Sequence, residues 1–120
     1  MFQSKGFMKI LWDLFPEHPL LLETSFEPLL NKKQVKKVCF GREGENVTII
    51  NSDNSLDIET KGRYENFKPV YQEYVELLQD NEGNYYQAGV FYAYEACGLG
   101  FRKGGKILDN MSKFVGHLVK

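Results

Sequence analysis

The sequence is poor in the residues that build metal centres and covalent cross-links. Its 120 residues include two cysteines, Cys39 and Cys97, and two histidines. Neither cysteine belongs to a C-x-x-C pair, no histidine is close to either, and both lie in apolar, strand-like stretches. We therefore expect two buried, reduced thiols rather than a disulfide. The same scarcity argues against a zinc site, and we predict no metal ligand in this chain.

The chain also lacks an excess of charge of either sign. It has 15 basic and 16 acidic side chains, for a formal net charge of -1. A non-specific binder of nucleic acid or of a membrane surface needs a net basic face, so neither partner is expected. No apolar run approaches the length of a transmembrane helix. No signal-peptide core follows residues 1–6, because the run 10–15 is short and contains Asp13. We expect a cytoplasmic protein.

What the sequence does contain is typical of one soluble α+β domain. It has 42% hydrophobic and 26% charged residues, and its 14% aromatic content favours sheet. Apolar spacing predicts a helix over residues 7–15, which Pro16 ends. Turn-forming sequences separate six expected strands, at 34–40, 46–51, 55–60, 69–77, 85–95 and 98–102, the last after a kink at 96–98. The prediction is a mostly antiparallel sheet, open or curled into half a barrel, with one N-terminal helix.

Residues 37–50 carry the clearest functional signal from chemistry alone. They predict a strand, a turn bracketed by Gly41 and Gly44, and a second strand. Such a turn offers backbone N–H groups, and Lys37 and Arg42 offer two cations, so the segment suits a polyphosphate. Strand alternation places Lys37 on an apolar face, where a lysine needs an anionic partner. A glycine-bracketed turn between strands is also common in hairpins that bind nothing.

Other polar positions admit two interpretations. Arg42 and Arg102 could each contact an anion, or could be ordinary charges at a loop. Gln72 and Glu73 could present an amide and a carboxylate to a partner, or could belong to an ordinary sheet. Gln87 lies in an otherwise apolar strand, so its amide must find partners in the core or in a ligand. No Walker A, dinucleotide, H-E-x-x-H, G-x-S-x-G or calcium-loop motif occurs.

Five stretches, taken together, resemble the glutathionylspermidine synthase-type ligases in order and spacing. They are LWDLFPEHPLLL at 11–22, KVCFGREGENVTII at 37–50, VYQE at 70–73, GLGFR at 98–102 and ILDNMSKFV at 107–115. The resemblance covers nearly the whole chain. Its departures are Val38, where proline is usual, and Gly116, which stands where proline precedes the histidine.

The resemblance implies an ATP-grasp fold and an ATP-dependent ligase reaction. In that reaction the γ-phosphate of ATP activates a carboxylate as an acyl phosphate, and an amine then displaces phosphate to form an amide. ATP and magnesium are the implied cofactors, and a small acid and a small amine are the implied substrates. Such catalysis depends mainly on positioning and charge stabilisation.

The resemblance also assigns roles to individual residues. It implies that Lys37 contacts the ATP phosphates and that Arg42 and Arg102 are catalytic, steadying the transferring phosphoryl group and the tetrahedral oxyanion. The other implied ATP contacts are the turn residues Gly41, Gly44 and Glu45, the adenine-holding strand residues Gln72, Glu73, Tyr74 and Val75, and Gln87, Ile107 and Leu108.

Residues 1–120 match only the C-terminal portion of this family. We therefore expect a single partial domain, because the family's magnesium ligands, a second ATP-contacting lysine and the acid pocket lie upstream. By this interpretation the 120 residues are inactive alone, and either the reading frame is truncated or split or a partner polypeptide supplies the rest. The alternatives are a remnant that weakly binds nucleotide or protein, or that self-associates through Tyr85, Tyr86, Tyr92 and Tyr94, and a fragment without function.

Overall fold

The computed structural model describes residues 3–118, which contain one helix and nine strands. The chain divides after Val75 into two compact units. In order, the elements are α1 (Gly6–Leu14), β1 (Thr24–Ser25), β2 (Gln34–Val38), β3 (Thr48–Ile50), β4 (Leu56–Glu59), β5 (Pro69–Glu73), β6 (Leu78–Gln79), β7 (Tyr85–Ala93), β8 (Glu95–Gly104) and β9 (Lys113–Val115). Every strand pairing is antiparallel, which confirms the α+β prediction.

Helix α1 forms where the apolar spacing predicted it. Phe7, Leu11 and Leu14 recur on one face, and the amide of Phe15 donates the last helical hydrogen bond to the Leu11 carbonyl at 2.9 Å. Pro16 cannot continue the helix. On the outer side Lys9 and Asp13 form an ion pair four residues apart, an arrangement that stabilises an exposed helix slightly.

The first unit contains a five-stranded sheet in the order β1-β5-β2-β3-β4. Its core includes Ile49 of β3 and Val70 of β5, which are 2% and 1% exposed. The sequence did not indicate β1, which pairs with β5 through two residues in the proline-broken segment after α1. A two-residue strand has no periodicity of its own and forms because β5 offers it an edge.

The second unit contains a four-stranded sheet in the order β6-β7-β8-β9. Residues 3–118 thus form two sheets where the sequence suggested one. The expected kink at 96–98 is wrong, because the chain reverses earlier, at Tyr94. Ala93 and Glu95 lie opposite each other in the β7–β8 ladder, and Tyr94 between them adopts a positive φ of 63°. The uninterrupted apolar sequence hid this turn, since Tyr is not a usual turn residue.

The two cysteines have different environments. Both thiols are free, as predicted, and Cys39 is buried. Cys97 is exposed on β8, so the expectation that it is buried is wrong. Val90 and Tyr92 of the same β7–β8 ribbon are exposed as well. Cys97 is therefore exposed because this part of the ribbon lies at the surface of its unit.

The turn between β6 and β7 is organised by Asp80. Its carboxylate accepts hydrogen bonds from the backbone amides of Glu82 and Asn84, at 3.0 and 2.8 Å, and from the Tyr86 hydroxyl at 2.8 Å. Loss of water around Asp80 opposes ionisation, but these hydrogen bonds outweigh it and hold the pKa of Asp80 well below its usual value. Bonding to the Asp80 carboxylate also raises the pKa of Tyr86. The expected hairpin loop at 80–84 is confirmed.

We expect Asp80→Ala to lower the pKa of Tyr86 and loosen this turn. The stabilising effect of Asp80 is present above the ordinary carboxyl pKa and is lost as pH falls toward its depressed folded value. In Asp80→Ala it should be missing at neutral pH. NMR titration of the Tyr86 ring and amide exchange at Asn84 measure both effects. Asp53→Ala, in a turn of the other unit, is the control, and an unchanged Tyr86 titration in Asp80→Ala would contradict the assignment.

Candidate functional site

A small cavity in the first unit brings Lys37 together with residues from four parts of the chain. It has a volume of about 130 Å³. Its lining comprises Lys5 just before α1, Met8 of α1, Thr24 of β1, Lys37 of β2, and Val70 and Gln72 of β5. No carboxylate is among these residues, so the cavity presents two ammonium groups and neutral side chains.

The strand register explains why Lys37 faces this cavity. Lys37 lies opposite Val70 in the β2–β5 ladder, and Gln72, two residues further along β5, lies opposite Thr24 of β1. Residues two apart on a strand point to the same face. The Lys37 Nζ donates to the Gln72 Oε1 at 2.9 Å, and the Gln72 Nε2 donates to the Thr24 Oγ1 at 3.1 Å. The buried partner of Lys37 is therefore a neutral amide.

Both lysines of the cavity are less basic than a lysine in water. Burial lowers the pKa of Lys37, and the nearby charge of Lys5 lowers it further. Burial also lowers the pKa of Lys5, against a smaller opposite effect from Cys39. An anion placed between the two ammonium groups would relieve this cost. Lys5 was not a candidate from the sequence, because only tertiary folding brings it beside Lys37.

Strand β2, which carries Lys37, ends at Val38 and not at residue 40 as expected, and the glycine-bracketed turn, residues 41–46, follows shortly after it. Three of its residues adopt positive φ: Glu43 at 58°, Gly44 at 72° and Asn46 at 52°. The Gly41 carbonyl accepts a hydrogen bond from the Lys5 Nζ. Arg42 is exposed, and its Nη2 donates to the Gln3 Oε1 at 3.2 Å. The Glu45 carboxylate is occupied by the backbone amide and guanidinium of Arg63.

The segment predicted to hold adenine, residues 72–75, comprises the last two residues of β5 and the two residues after it. β5 ends at Glu73, two residues after Tyr71, and not at residue 77 as expected. The Glu73 carboxylate lies 3.6 Å from the Lys32 Nζ. The amide of Tyr74 donates to the Lys33 carbonyl at 3.0 Å. Val75 is exposed. Gln72 is thus the residue of this segment that lines the cavity.

The remaining predicted positions lie in the second unit. Arg102 of β8 lies opposite Gln87 of β7, which is exposed. The Arg102 guanidinium donates to the carbonyls of Asp109 and Ser112. These contacts close the loop that carries the half-buried Ile107 and Leu108. Within the part of the chain that the structure describes, the buried Nε of Arg102 has no hydrogen-bond partner.

The structure brings together only some of the site residues predicted from the sequence. Lys37 and Gln72 share the cavity, whereas Arg42 is not part of its lining. Arg102, Ile107 and Leu108 belong to the second unit. A common contact of all three cations with one phosphate chain stays a prediction. Between Gln3 and Leu118 we find no group of three or more His, Cys, Asp or Glu residues arranged to hold a metal. The helix described in this range is not long and apolar enough to cross a membrane.

Comparison with known proteins identifies the family. The family model described as glutathionylspermidine synthase preATP-grasp matches residues 1–120. The chain belongs to this family. A protein of Haemophilus influenzae named "Putative acid--amine ligase" is 33% identical over 128 residues, covering 98% of this chain and 32% of the relative. The Bifunctional glutathionylspermidine synthetase/amidase of Escherichia coli is 31% identical over 91 residues, covering 73% of this chain and 14% of the relative.

A third relative in the comparison is the trypanothione synthetase of Crithidia fasciculata. It is 27% identical over 112 residues, covering 90% of this chain and 17% of the relative. The chain therefore spans about a third or less of the length of these family members. Their names describe ligases, which supports a ligase-type family for this chain.

Proposed function

We propose that this chain supplies the phosphate-binding cations of an ATP-dependent acid–amine ligase. The observation that carries the proposal is a cavity whose lining includes both Lys37 and Lys5 and no carboxylate, with the charge of Lys5 acting on Lys37. Burying like charges together costs free energy unless an anion compensates. The triphosphate of ATP is such an anion, and membership of a family with ligase-named relatives favours it over other anions.

In the proposed reaction this chain orients and stabilises charge rather than transferring protons. Lys37, with Lys5, holds the phosphate chain, and the turn containing Gly41, Gly44 and Glu45 covers it. Arg42 is exposed at the start of this turn, and its proposed role is to steady the transferring phosphoryl group. Among residues 3–118 the Arg102 Nε has no hydrogen-bond partner, which supports a role at the developing oxyanion. The acid becomes an acyl phosphate, and the amine displaces phosphate.

The adenine is proposed to lie against the end of β5. Gln72 would link the phosphate cavity to that strand, followed by Glu73, Tyr74 and Val75. The roles of Gln87 and of the Ile107–Leu108 pair in nucleotide binding stay proposals that rest on the family resemblance. Within residues 3–118 no group of three or more His, Cys, Asp or Glu residues is arranged to hold a metal, and the magnesium ligands are proposed to lie outside this range. A cytoplasmic location, where ATP is abundant, accords with the proposal.

Reconstitution tests this function directly. The chain is mixed with the part of the Haemophilus influenzae relative outside the matched third, and ADP release is followed. Glutathione and spermidine, the two parts of the product that the Escherichia coli relative's name describes, serve as trial substrates. We expect ADP release above that of either polypeptide alone, and loss of this gain in Arg42→Ala. No gain with either polypeptide in excess would contradict the proposal.

A second candidate function is a binding module that self-associates or takes a protein partner. The observation in its favour is the β7–β8 ribbon, where Phe91, Tyr92 and Tyr94 are exposed, Tyr94 at 99%. Large exposed apolar patches commonly mark interaction surfaces. Sedimentation velocity over a hundredfold concentration range distinguishes the candidates. A strictly monomeric chain excludes self-association, and Tyr92→Ser should shift any observed oligomer toward monomer.

A further inference from the structure

We infer that Arg63 is a positioning residue that holds the phosphate-covering turn, residues 41–46, in a single shape through Glu45. The inference deepens the proposed function and rests on it only for the consequence to nucleotide binding. The family resemblance implied an ATP contact for Glu45 and implied nothing for Arg63. The contacts of the two residues give both a different role.

Both oxygens of the Glu45 carboxylate accept hydrogen bonds from Arg63. Oε2 accepts the Arg63 backbone amide at 2.9 Å, and Oε1 accepts the Nη2 of the same residue at 3.0 Å. These bonds, backbone first, lower the pKa of Glu45, so the carboxylate stays ionised at neutral pH. A carboxylate bound in this way repels a phosphate and has no donor to offer it. Glu45 therefore acts on its own turn rather than on the nucleotide.

Neighbouring side chains bind the same two segments together. The amide of Tyr64 donates to the Asn46 Oδ1 at 2.8 Å, and the amide of Val47 donates to the Thr60 Oγ1 at 3.1 Å. The Thr60 hydroxyl also donates to the Gly44 carbonyl. Residues 60–64 thus form an anchor for residues 41–46.

Gly62 allows the close approach that this anchor requires. A Cβ at position 62 would lie 2.4 Å from the Glu45 Cβ and 2.8 Å from the Asn46 Oδ1. These distances are shorter than any van der Waals contact, so a side chain at Gly62 must push the turn outward. The shape of the turn therefore depends on a residue 16 or more positions away in the sequence.

Arg42 is the functional residue that this anchor places. It lies at the start of the turn, directly after Gly41, whose carbonyl is held by Lys5. With Lys5 on one side and Arg63 on the other, the backbone of the turn is fixed at both ends. Loosening the Arg63 end leaves Arg42 free to move away from a bound phosphate, and pre-organisation of a site is a large part of its affinity.

Variants of the two residues separate positioning from direct contact. Arg63→Ala removes the guanidinium and leaves the backbone hydrogen bond, whereas Glu45→Ala removes both. The charge-swapped double variant Glu45→Arg with Arg63→Glu restores an ion pair without restoring a carboxylate at position 45. Lys61→Ala removes a neighbouring exposed positive charge in the same anchor and is the matched control.

The first readout is amide hydrogen exchange at Glu45 and Val47 in the unliganded protein, which needs no nucleotide. An exposed ion pair is weak, so we expect exchange to accelerate about two- to fivefold in Arg63→Ala. The additional loss of the backbone bond should raise this to roughly tenfold in Glu45→Ala. The double variant should recover part of the protection, and Lys61→Ala should match the wild type. Exchange at Ile49, in the sheet core, reports whether the fold is intact.

The second readout is the affinity for inorganic triphosphate by calorimetry. The proposal expects weakening in Arg63→Ala and partial recovery in the double variant. If Glu45→Ala weakens binding while Arg63→Ala changes neither exchange nor affinity, Glu45 contacts the ligand itself and the inference is wrong. Wild-type protein that binds no triphosphate overturns the proposed function, and the exchange data then still decide whether Arg63 positions the turn.

Discussion

Lys37→Met is expected to weaken ATP binding about 10- to 100-fold while making the unliganded protein more stable. The first effect follows because a charge-assisted hydrogen bond contributes roughly 1.5–3 kcal/mol. The second follows because the ammonium is buried against a neutral amide and near Lys5. Removing such a charge should raise the free energy of unfolding by roughly 1 kcal/mol, as functional sites often reduce stability. Calorimetry and chemical denaturation measure the two effects.

The pH dependence of the wild type follows from the same charge. The folded protein holds Lys37 with a depressed pKa, so between that pKa and the ordinary value near 10.5 the unfolded chain binds more protons. The unliganded protein should therefore gain stability as pH rises through this alkaline range, while ATP binding weakens because the ammonium is lost. In Lys37→Met this contribution to both curves should disappear.

The matched control is Lys36→Met, at the adjacent, preceding position of β2. Lys36 is exposed and lines a different cavity, on the other face of the sheet. It loses the same charge by the same substitution, so a general electrostatic effect on ATP would appear equally in both variants. Equal weakening in Lys36→Met and Lys37→Met would contradict a specific phosphate site at Lys37.

Gln34→Leu is expected to lower the free energy of unfolding by about 2–4 kcal/mol. Gln34 is 1% exposed, and its amide forms a closed pair of hydrogen bonds with the backbone of Leu29. The Leu29 amide donates to its Oε1 at 2.8 Å, and its Nε2 donates to the Leu29 carbonyl at 2.9 Å. Leucine fills the same space but leaves both buried backbone groups without partners, at about 1–3 kcal/mol each.

Urea denaturation followed by circular dichroism measures this loss. Gln79→Leu, at an exposed position of β6, is the control and should stay within about 0.5 kcal/mol of the wild type. A Gln34→Leu protein as stable as the wild type would show that water or a local rearrangement satisfies the Leu29 backbone.

Strongly periodic or turn-rich stretches were predictable from the sequence. Helix α1 was found to within one residue, because apolar spacing and Pro16 both act locally. The β2–β3–β4 meander and the hairpin at 80–84 were found for a similar reason, since turn residues and alternation lie within a few positions of each other. Short or atypical features, such as β1 and the Tyr94 reversal, were missed because their stability comes from the neighbouring strands.

Some residues of the candidate site were likewise predictable from local sequence, and others were not. Local sequence was enough to single out Lys37 and its glycine-bracketed turn, since a lysine on an apolar strand face is unusual by itself. It gave no reason to select Lys5 or Arg63. Lys5 reaches the cavity because β2 and the start of α1 meet in space, and Arg63 reaches Glu45 across 18 residues.

By itself, the amino-acid sequence determined the family and most of the element types, and it singled out Lys37 as a cation on an apolar strand face. Only the tertiary structure shows that Lys5 lines the same cavity as Lys37 and that Lys37 donates to the neutral amide of Gln72. It alone also shows that the Glu45 carboxylate is bonded to Arg63. The physical reason is range: helical periodicity, turn preference and strand alternation act between near neighbours. Desolvation, charge repulsion and close approach depend on residues that only the folded chain brings together.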